Sequence, residues 1–507
     1  MNKGIVATGS QEATQAAADI LRAGGNAFDA AVSAVFTSMT SEFALTGIGG
    51  GGAMMIHTHG SDPILHDFFV DTPPRTGKEE LDFFGVEVDF GDSTQIFHIG
   101  KGSAAVPGTL LGLVIVHQQY GLLPLPVVME PAIHLAREGS ILNKKQAYIF
   151  KLLEPIFSHS VEGQMLFHLD GKMLKEGDRF INSDFAEFLE RVSWEGAAFF
   201  YLGEGAELIA KTFKDGGLLN EKALSQYHVE IRKPVMTSFM DTQVYSNPAP
   251  SVGGTLIIFL LRLLEEGKIQ NLQIPDLVQA MALSNIARQE VCTDPDNESQ
   301  INQLLKKEIF SGYMDKFCSQ YRQFNNENPV FGRGETTHVS VIDKDLNAAS
   351  VTTTNGEGCG YILPGTGIML NNMLGEEDLN PQGFHNWSHS RRLPTMISPS
   401  IITQNGKPMM IIGSGGSNRI RSAMVQVLIN YIYKKLTLQE SIEDSRIHLE
   451  GDELYYEPGI DISENDLLGH LSLHPFDEKN LFFGGVNAVT LSDGFSDPRR
   501  GGAFEIV

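Results

Sequence analysis

Positive charge is scarce in this chain: 38 lysines and arginines stand against 62 aspartates and glutamates, a formal net charge of −24. So acidic a surface repels phosphate backbones and anionic lipid, which excludes nucleic acid and an anionic membrane as partners. Cysteine is scarce too. Cys292, Cys318 and Cys359 are odd in number and have no metal-ligand spacing, so neither a disulfide framework nor a zinc site is expected, and no metal or cofactor is indicated. Reduced thiols suit the cytosol. The longest apolar run, around residues 255–264, is too short to span a bilayer and is interrupted by Arg262. Residues 1–10 carry one lysine and no continuous apolar stretch, so no export signal is visible and a cytoplasmic location is expected. The glycines follow no collagen-like period, and no internal repeat or low-complexity tract is present.

What remains is an ordinary globular composition in 507 residues, long enough for a large core and, by length alone, for about three domains. From Gln11 to Met39, Ala16, Ile20, Ala27, Ala31, Val32 and Val35 recur at helical spacing. Gly24-Gly25-Asn26 breaks the run, which predicts two packed helices. The glycines from Gly47 to Gly52 invite comparison with a dinucleotide loop. That fingerprint needs a strand before and a helix after, whereas here a helix precedes and a strand over 53–58 follows, so close backbone passage fits better. Leu65 to Val70 reads as a further strand. Residues 294–334 are polar, with little apolar periodicity beyond about Gln320, and their end reads as an exposed, cleavable linker.

The most informative stretch follows it. Thr336-Thr337-His338 leads into an apolar strand through Val339, Val341 and Ile342, a turn at residues 343–347, and a returning strand over residues 348–354. In a hairpin the returning hydroxyls come back beside Thr336. On residues alone this is also an ordinary β hairpin, since threonine is common in strands.

Four ordered segments change the weight of that reading. Thr-Thr-His with its strand, Gly365-Thr366-Gly367-Ile368-Met369-Leu370-Asn371-Asn372, Gly413-Ser414-Gly415-Gly416-Ser417 and Ser496-Asp497-Pro498-Arg499-Arg500-Gly501-Gly502 resemble, in sequence and spacing, the γ-glutamyltransferase (glutathione hydrolase) family. The resemblance runs from Gly4 to the C-terminus. It implies an α+β fold, the four-layer αββα sandwich of the N-terminal-nucleophile hydrolases. It also implies a precursor that cuts itself between Glu335 and Thr336, leaving segments 1–335 and 336–507 associated in one domain, with a homo-oligomer open.

By the same resemblance Thr336 is the nucleophile, Thr354 the hydroxyl beside it, and Gly415 and Gly416 the oxyanion pair. Asn355, after a two-residue shortening, Glu376 and Thr395 match substrate-binding positions. The expected substrate is a γ-glutamyl amide of the glutathione kind, with water or an amino acid or peptide as acceptor. An amidase for another acyl group and an uncut binding homologue are the alternatives. A freed threonine carries its own base, because its α-amine titrates at about 7.7 to 8.0. His338 is therefore expected to be structural, and Cys359, which lacks an obvious partnered base, is expected to be a small loop residue. Three positions depart from the family: Phe69 or Val70 where an arginine grips the α-carboxylate, Met373 where a polar residue is common, and Pro394-Thr395 in place of a serine pair. Arg75, Arg391 or Arg392 is left to supply the missing charge.

Overall fold

The computed structural model describes residues 2–89, 94–267, 270, 272–291, 298–319, 336–387, 389–462 and 471–507. The chain opens with strand β1 (Gly4–Thr8) and the helix pair expected from its periodicity, α1 (Gln11–Arg22) and α2 (Ala27–Ser41). Ser10 caps α1 by accepting from the Ala13 N–H. Asn26 and Asp29 form a reciprocal capping box on α2, so two otherwise orphaned donors are satisfied where the second helix starts. Gly24, at φ 95°, takes the left-handed conformation that ends the first helix.

Strands β2 (Gly51–His57) and β3 (Ile64–Phe68) follow, then helices α3 (Thr109–Tyr120) and α4 (Leu125–Glu138). Next come β4 (Glu230–Arg232), β5 (Val235–Phe239), β6 (Thr242–Ser246) and α5 (Gly253–Gly267). Beyond residue 335 lie β7 (Thr337–Asp343), β8 (Ala348–Thr354), β9 (Ser400–Gln404), β10 (Lys407–Gly415), α6 (Arg419–Leu428), β11 (Gly485–Thr490), β12 (Gly494–Ser496) and β13 (Ala503–Ile506).

These strands make two large sheets, ordered β4-β3-β2-β8-β7-β1-β13 and β5-β6-β9-β10-β11-β12, with antiparallel neighbours throughout. Strand alternation sorts their side chains into three cores. Val6, Val339, Val341 and Val351 face α1 to α4. Ile402, Met410, Ile412 and Val486 face α5 and α6. Ile5, Ala53, Met55, Ile342, Ile401, Ile411 and Val489 fill the space between the sheets. The result is the expected helix–sheet–sheet–helix sandwich, an α+β fold. Both sheets take strands from before and after residue 335, so neither segment holds a complete sheet. Among the described residues, no helix is long and apolar enough to cross a membrane.

Candidate active site

The hairpin of β7 and β8 is set by its turn. Asp343 accepts from the N–H groups of Asp345 and Asn347 at 2.8 and 3.0 Å and from the Ala27 N–H at 3.0 Å, which ties the turn to the start of α2. The register then runs Thr337 opposite Thr353 and His338 opposite Thr352, which brings Thr354 opposite Thr336 at the open end. Thr336 precedes the strand, is 5% exposed, and shares with His338 the face that looks toward the second sheet. Thr354 is buried, and its hydroxyl accepts from the Gly356 N–H at 3.0 Å.

From the second sheet, the last residue of β10 meets this hairpin. A Cβ on Gly415 would lie 2.2 Å from the Thr336 carbonyl oxygen, so only glycine permits the approach. Gly416 follows at φ 127°, and α6 begins three residues later, so a strand end, left-handed backbone and a helix N-terminus converge beside Thr336. Arg500 closes the arrangement by donating from Nη1 to the Thr336 carbonyl at 3.5 Å.

Glu376 stands after a short turn over Met373–Gly375. Its Oε1 is shut off from solvent without a hydrogen-bond partner, and a Cβ on Gly356 would come within 2.3 Å of it. Burial and the negative charge of Asp378 push its carboxyl up to about 8. Asp378 itself is held by Arg288 at 3.3 Å, the Ser417 hydroxyl at 3.2 Å and the Asn418 amide at 3.4 Å, so the Glu376 loop is strapped to the glycine loop. Asn355 is buried beside Thr354. Its Nδ2 donates to the Met369 carbonyl at 3.2 Å, while its Oδ1 accepts nothing. Thr395 is buried in a loop at the start of α5, where its hydroxyl accepts from the Ile397 N–H and its carbonyl from the Ser251 hydroxyl and the Val252 N–H. Glu335 lies outside the described residues, as do residues 320–334 and Cys292.

His338 and Cys359 are structural, as expected. His338 Nδ1 lies 2.7 Å from the Thr352 hydroxyl and Nε2 2.9 Å from that of Ser340, and burial pushes the imidazole down to about 3. Burial pushes the Cys359 thiol up to about 12, where no useful thiolate forms.

The departures take a definite shape. Phe69 and Val70 are fully packed between the sheets, and Met373 is buried there too. Of the three arginines left open for the missing charge, Arg392 is held within the fold. Its Nε bonds Asp71 at 2.6 Å, its Nη1 bonds the Asp67 carboxylate and carbonyl at 3.0 and 2.7 Å, and its Nη2 bonds the His228 carbonyl at 2.7 Å. Its guanidinium carbon also sits 5.0 Å from the Tyr227 ring centre. Although burial works to raise the Asp67 carboxyl, Arg392 and Arg232 hold it below the ordinary range. The guanidinium is thus spent on neutralising one buried carboxylate, Asp67, and one half-buried, Asp71. Arg75 lies over the Trp387 ring, and Arg391 is tied through its backbone to Thr72.

Sequence reasoning missed Glu42, a buried acid whose Oε1 accepts from the Thr337 hydroxyl at 3.0 Å. Its only signal was an acid in the small and apolar run before the glycines. Arg500 and Asp378 were missed as well, because their partners are remote in the chain.

A sequence model of the family described as gamma-glutamyltranspeptidase matches residues 13–507. The chain belongs to the gamma-glutamyltranspeptidase family. The glutathione hydrolase proenzyme of Escherichia coli (strain K12) is 30% identical over 494 residues, which span 90% of this chain and 83% of that protein. The acylase ACY 1 proenzyme of Pseudomonas sp. (strain SE83) is 29% identical over 480 residues, 90% of this chain and 85% of that one. The structure of cephalosporin acylase from Bacillus halodurans shares the fold, with a TM-score of 0.84 at 22% identity over 99% of this chain and 96% of its own. As a gamma-glutamyltranspeptidase family member, the chain is an enzyme of the N-terminal threonine nucleophile kind.

The Arg392 network makes a prediction that separates structural from substrate-binding roles. Arg392→Met leaves Asp67 and Asp71 short of a buried partner and should lower unfolding stability by about 3–5 kcal/mol in denaturant titration. Unchanged stability with a raised KM would show Arg392 to be a substrate clamp instead.

Proposed function

We propose that cleavage of the Glu335–Thr336 bond makes Thr336 the N-terminus of segment 336–507 and the nucleophile of an amide hydrolase and acyltransferase. The observation that carries this reading is the close packing of Gly415 on the Thr336 carbonyl at the open end of the β7–β8 hairpin. In the precursor the Thr336 hydroxyl attacks the carbonyl of residue 335, and the peptide bond becomes an ester with release of the α-amine. Water then hydrolyses the ester and parts the two segments, which stay associated because they share both sheets.

In turnover the freed amine takes the hydroxyl proton as Oγ attacks the donor carbonyl. The N–H groups of Gly415 and Gly416 carry the negative charge that develops on its oxygen. Collapse passes the proton to the departing amine and leaves a threonyl ester. Water, or the amine of an amino acid or peptide, then takes the acyl group and returns the proton to Oγ. Glu376 receives the donor's ammonium group, which a buried unpartnered carboxylate is suited to do. Glutathione-like γ-glutamyl amides are the leading donors. A wider range of acyl groups is favoured by one observation: Phe69 and Val70 are core residues and Arg392 is engaged elsewhere, so no guanidinium at that place selects a free α-carboxylate.

Purified wild type should run as two fragments under denaturing conditions, the smaller beginning at Thr336, while Thr336→Ala stays whole and inactive. Efficient cutting of the alanine variant would overturn the assignment. For a matched pair of donors differing only at the α-carboxylate, kcat/KM should differ by less than about tenfold, or about 1.4 kcal/mol. A hundredfold preference for the free carboxylate would mean that another cation grips it. The raised Glu376 carboxyl sets a pH dependence. It is largely neutral below about 8 and charges above, so KM for amino-bearing donors should fall as pH rises toward 8. Glu376→Gln should flatten that trend and lower kcat/KM by about 10- to 150-fold, the worth of a charge-assisted hydrogen bond.

A further inference from the structure

Glu42 is placed where stability alone would not put a carboxylate. It caps the C-terminus of α2, the end of a helix that disfavours negative charge, and it is 5% exposed. Its Oε1 accepts from the Thr337 hydroxyl at 3.0 Å, whereas Oε2 is buried without a hydrogen-bond partner. Room for the group exists only because residue 9 is glycine: a Cβ there would lie 2.1 Å from Oε1 and 2.6 Å from the Thr337 hydroxyl oxygen. The acid is therefore wedged behind the first residue of the nucleophile strand, on the opposite face from the Thr336 side chain.

Arg500 works on the same segment. Its Nη1 bonds the Thr336 carbonyl, Nη1 lies 3.3 Å from a Cβ built on Gly415, and Nη2 lies 3.6 Å from one built on Gly416. Glu42 and Arg500 both line a small chamber behind the strand with about 30 Å³ of open space. The charged groups that face Glu42 are Glu12 from α1, Arg500 from the C-terminal turn and Lys145 across the chamber.

We infer that Glu42 is a positioning residue for the chemistry at Thr336: through the Thr337 hydroxyl, and in concert with Arg500, it fixes the Thr336 peptide against the Gly415–Gly416 loop. The inference rests on the assignment of Thr336 as nucleophile. Its ionised form is the competent one, because a carboxylate accepts more strongly from the Thr337 hydroxyl and attracts Arg500. Burial pushes the Glu42 carboxyl up to about 7, so the competent form appears as pH rises through neutrality. The folded-state value lies above the ordinary one of 4.5. Glu42 therefore contributes stability below about pH 4.5 that is lost as pH rises through about 7. The group becomes useful for catalysis in the range where it stops helping the fold.

Self-cleavage offers a clean test, because in the precursor the α-amine of Thr336 is still an amide and adds no titration of its own. Full-length chain made by cell-free synthesis is transferred to buffers from pH 5.5 to 9, and release of fragment 336–507 is timed on denaturing gels. For wild type the rate should climb about tenfold through pH 7. Glu42→Gln should cut at least tenfold more slowly at pH 8 with no such climb. Thr337→Val should be slow as well, and the double variant no slower than the slower single one. Thermal melts of Thr336→Ala and Thr336→Ala/Glu42→Gln, both uncut, should show the second gaining stability relative to the first above pH 7. Slow cutting then cannot be blamed on a damaged fold. Glu42→Gln cutting at the wild-type rate, or slowly with the wild-type pH midpoint, overturns the inference. Thr336→Ala that still cuts overturns the nucleophile assignment instead.

Discussion

Backbone packed directly on backbone is the constraint from which the rest of this site follows. The end of the β7–β8 hairpin is surrounded by main chain that allows no side chain between: Gly415 against the Thr336 carbonyl, and Gly50, whose Cβ would lie 2.1 Å from the Thr354 carbonyl. Such contacts leave no space for slack, so the position of Thr336 is dictated by two sheets at once. Its surroundings are then filled by groups that reach in from remote parts of the chain, Glu42 from α2 and Arg500 from the C-terminal turn. The cost is a set of buried polar groups that the fold must satisfy, and most are. His338 uses both ring nitrogens, and the Ser340 hydroxyl reaches across to the Asn487 carbonyl at 3.1 Å.

Among the described carboxylates with a buried oxygen that makes no hydrogen bond, two border the Thr336 region. Oε1 of Glu376 and Oε2 of Glu42 are buried without hydrogen bonds, and both acids hold their protons to about neutral pH or above. The contrast with the Arg392 cluster is instructive. There Asp67 and Asp71 meet a guanidinium that donates to their carboxylates and to the Asp67 and His228 carbonyls, so its charge is already matched within the fold. On the proposed reading, Glu376 is the group that meets the donor's cation once it is charged. At the place where the family resemblance leads one to expect an arginine, the chain presents buried hydrocarbon from Phe69 and Val70.

Local pattern made much of this legible in advance. The helix pair followed from apolar spacing and the Gly24-Gly25-Asn26 break, and the hairpin from alternation and an aspartate-rich turn, with boundaries shifted by a few residues. The order of helix, glycines and strand around Gly47 to Gly52 argues against a phosphate loop, and α2 and β2 occupy those places. Contacts between distant parts of the chain were not legible. Arg392 meets Asp67 across 325 positions and Thr337 meets Glu42 across 295, and no periodicity encodes such pairs. The sequence therefore leaves Arg392 open beside Arg75 and Arg391 as a source of charge for a substrate, whereas in the fold it pairs with Asp67 and Asp71. Thr395 carries a hydroxyl that suits a substrate, yet that oxygen already accepts from its own loop.

The central claim is that Thr336 carries the acyl group. It is tested most directly by quenching wild-type enzyme in acid during turnover of a slow amino-bearing donor and locating the added mass by peptide sequencing. The account predicts one acyl group on the peptide that begins with Thr336, removable by hydroxylamine as an ester is. Product accumulating with the added mass on Cys359 or another peptide, or with no acylated peptide under conditions where acyl transfer limits the rate, would contradict it.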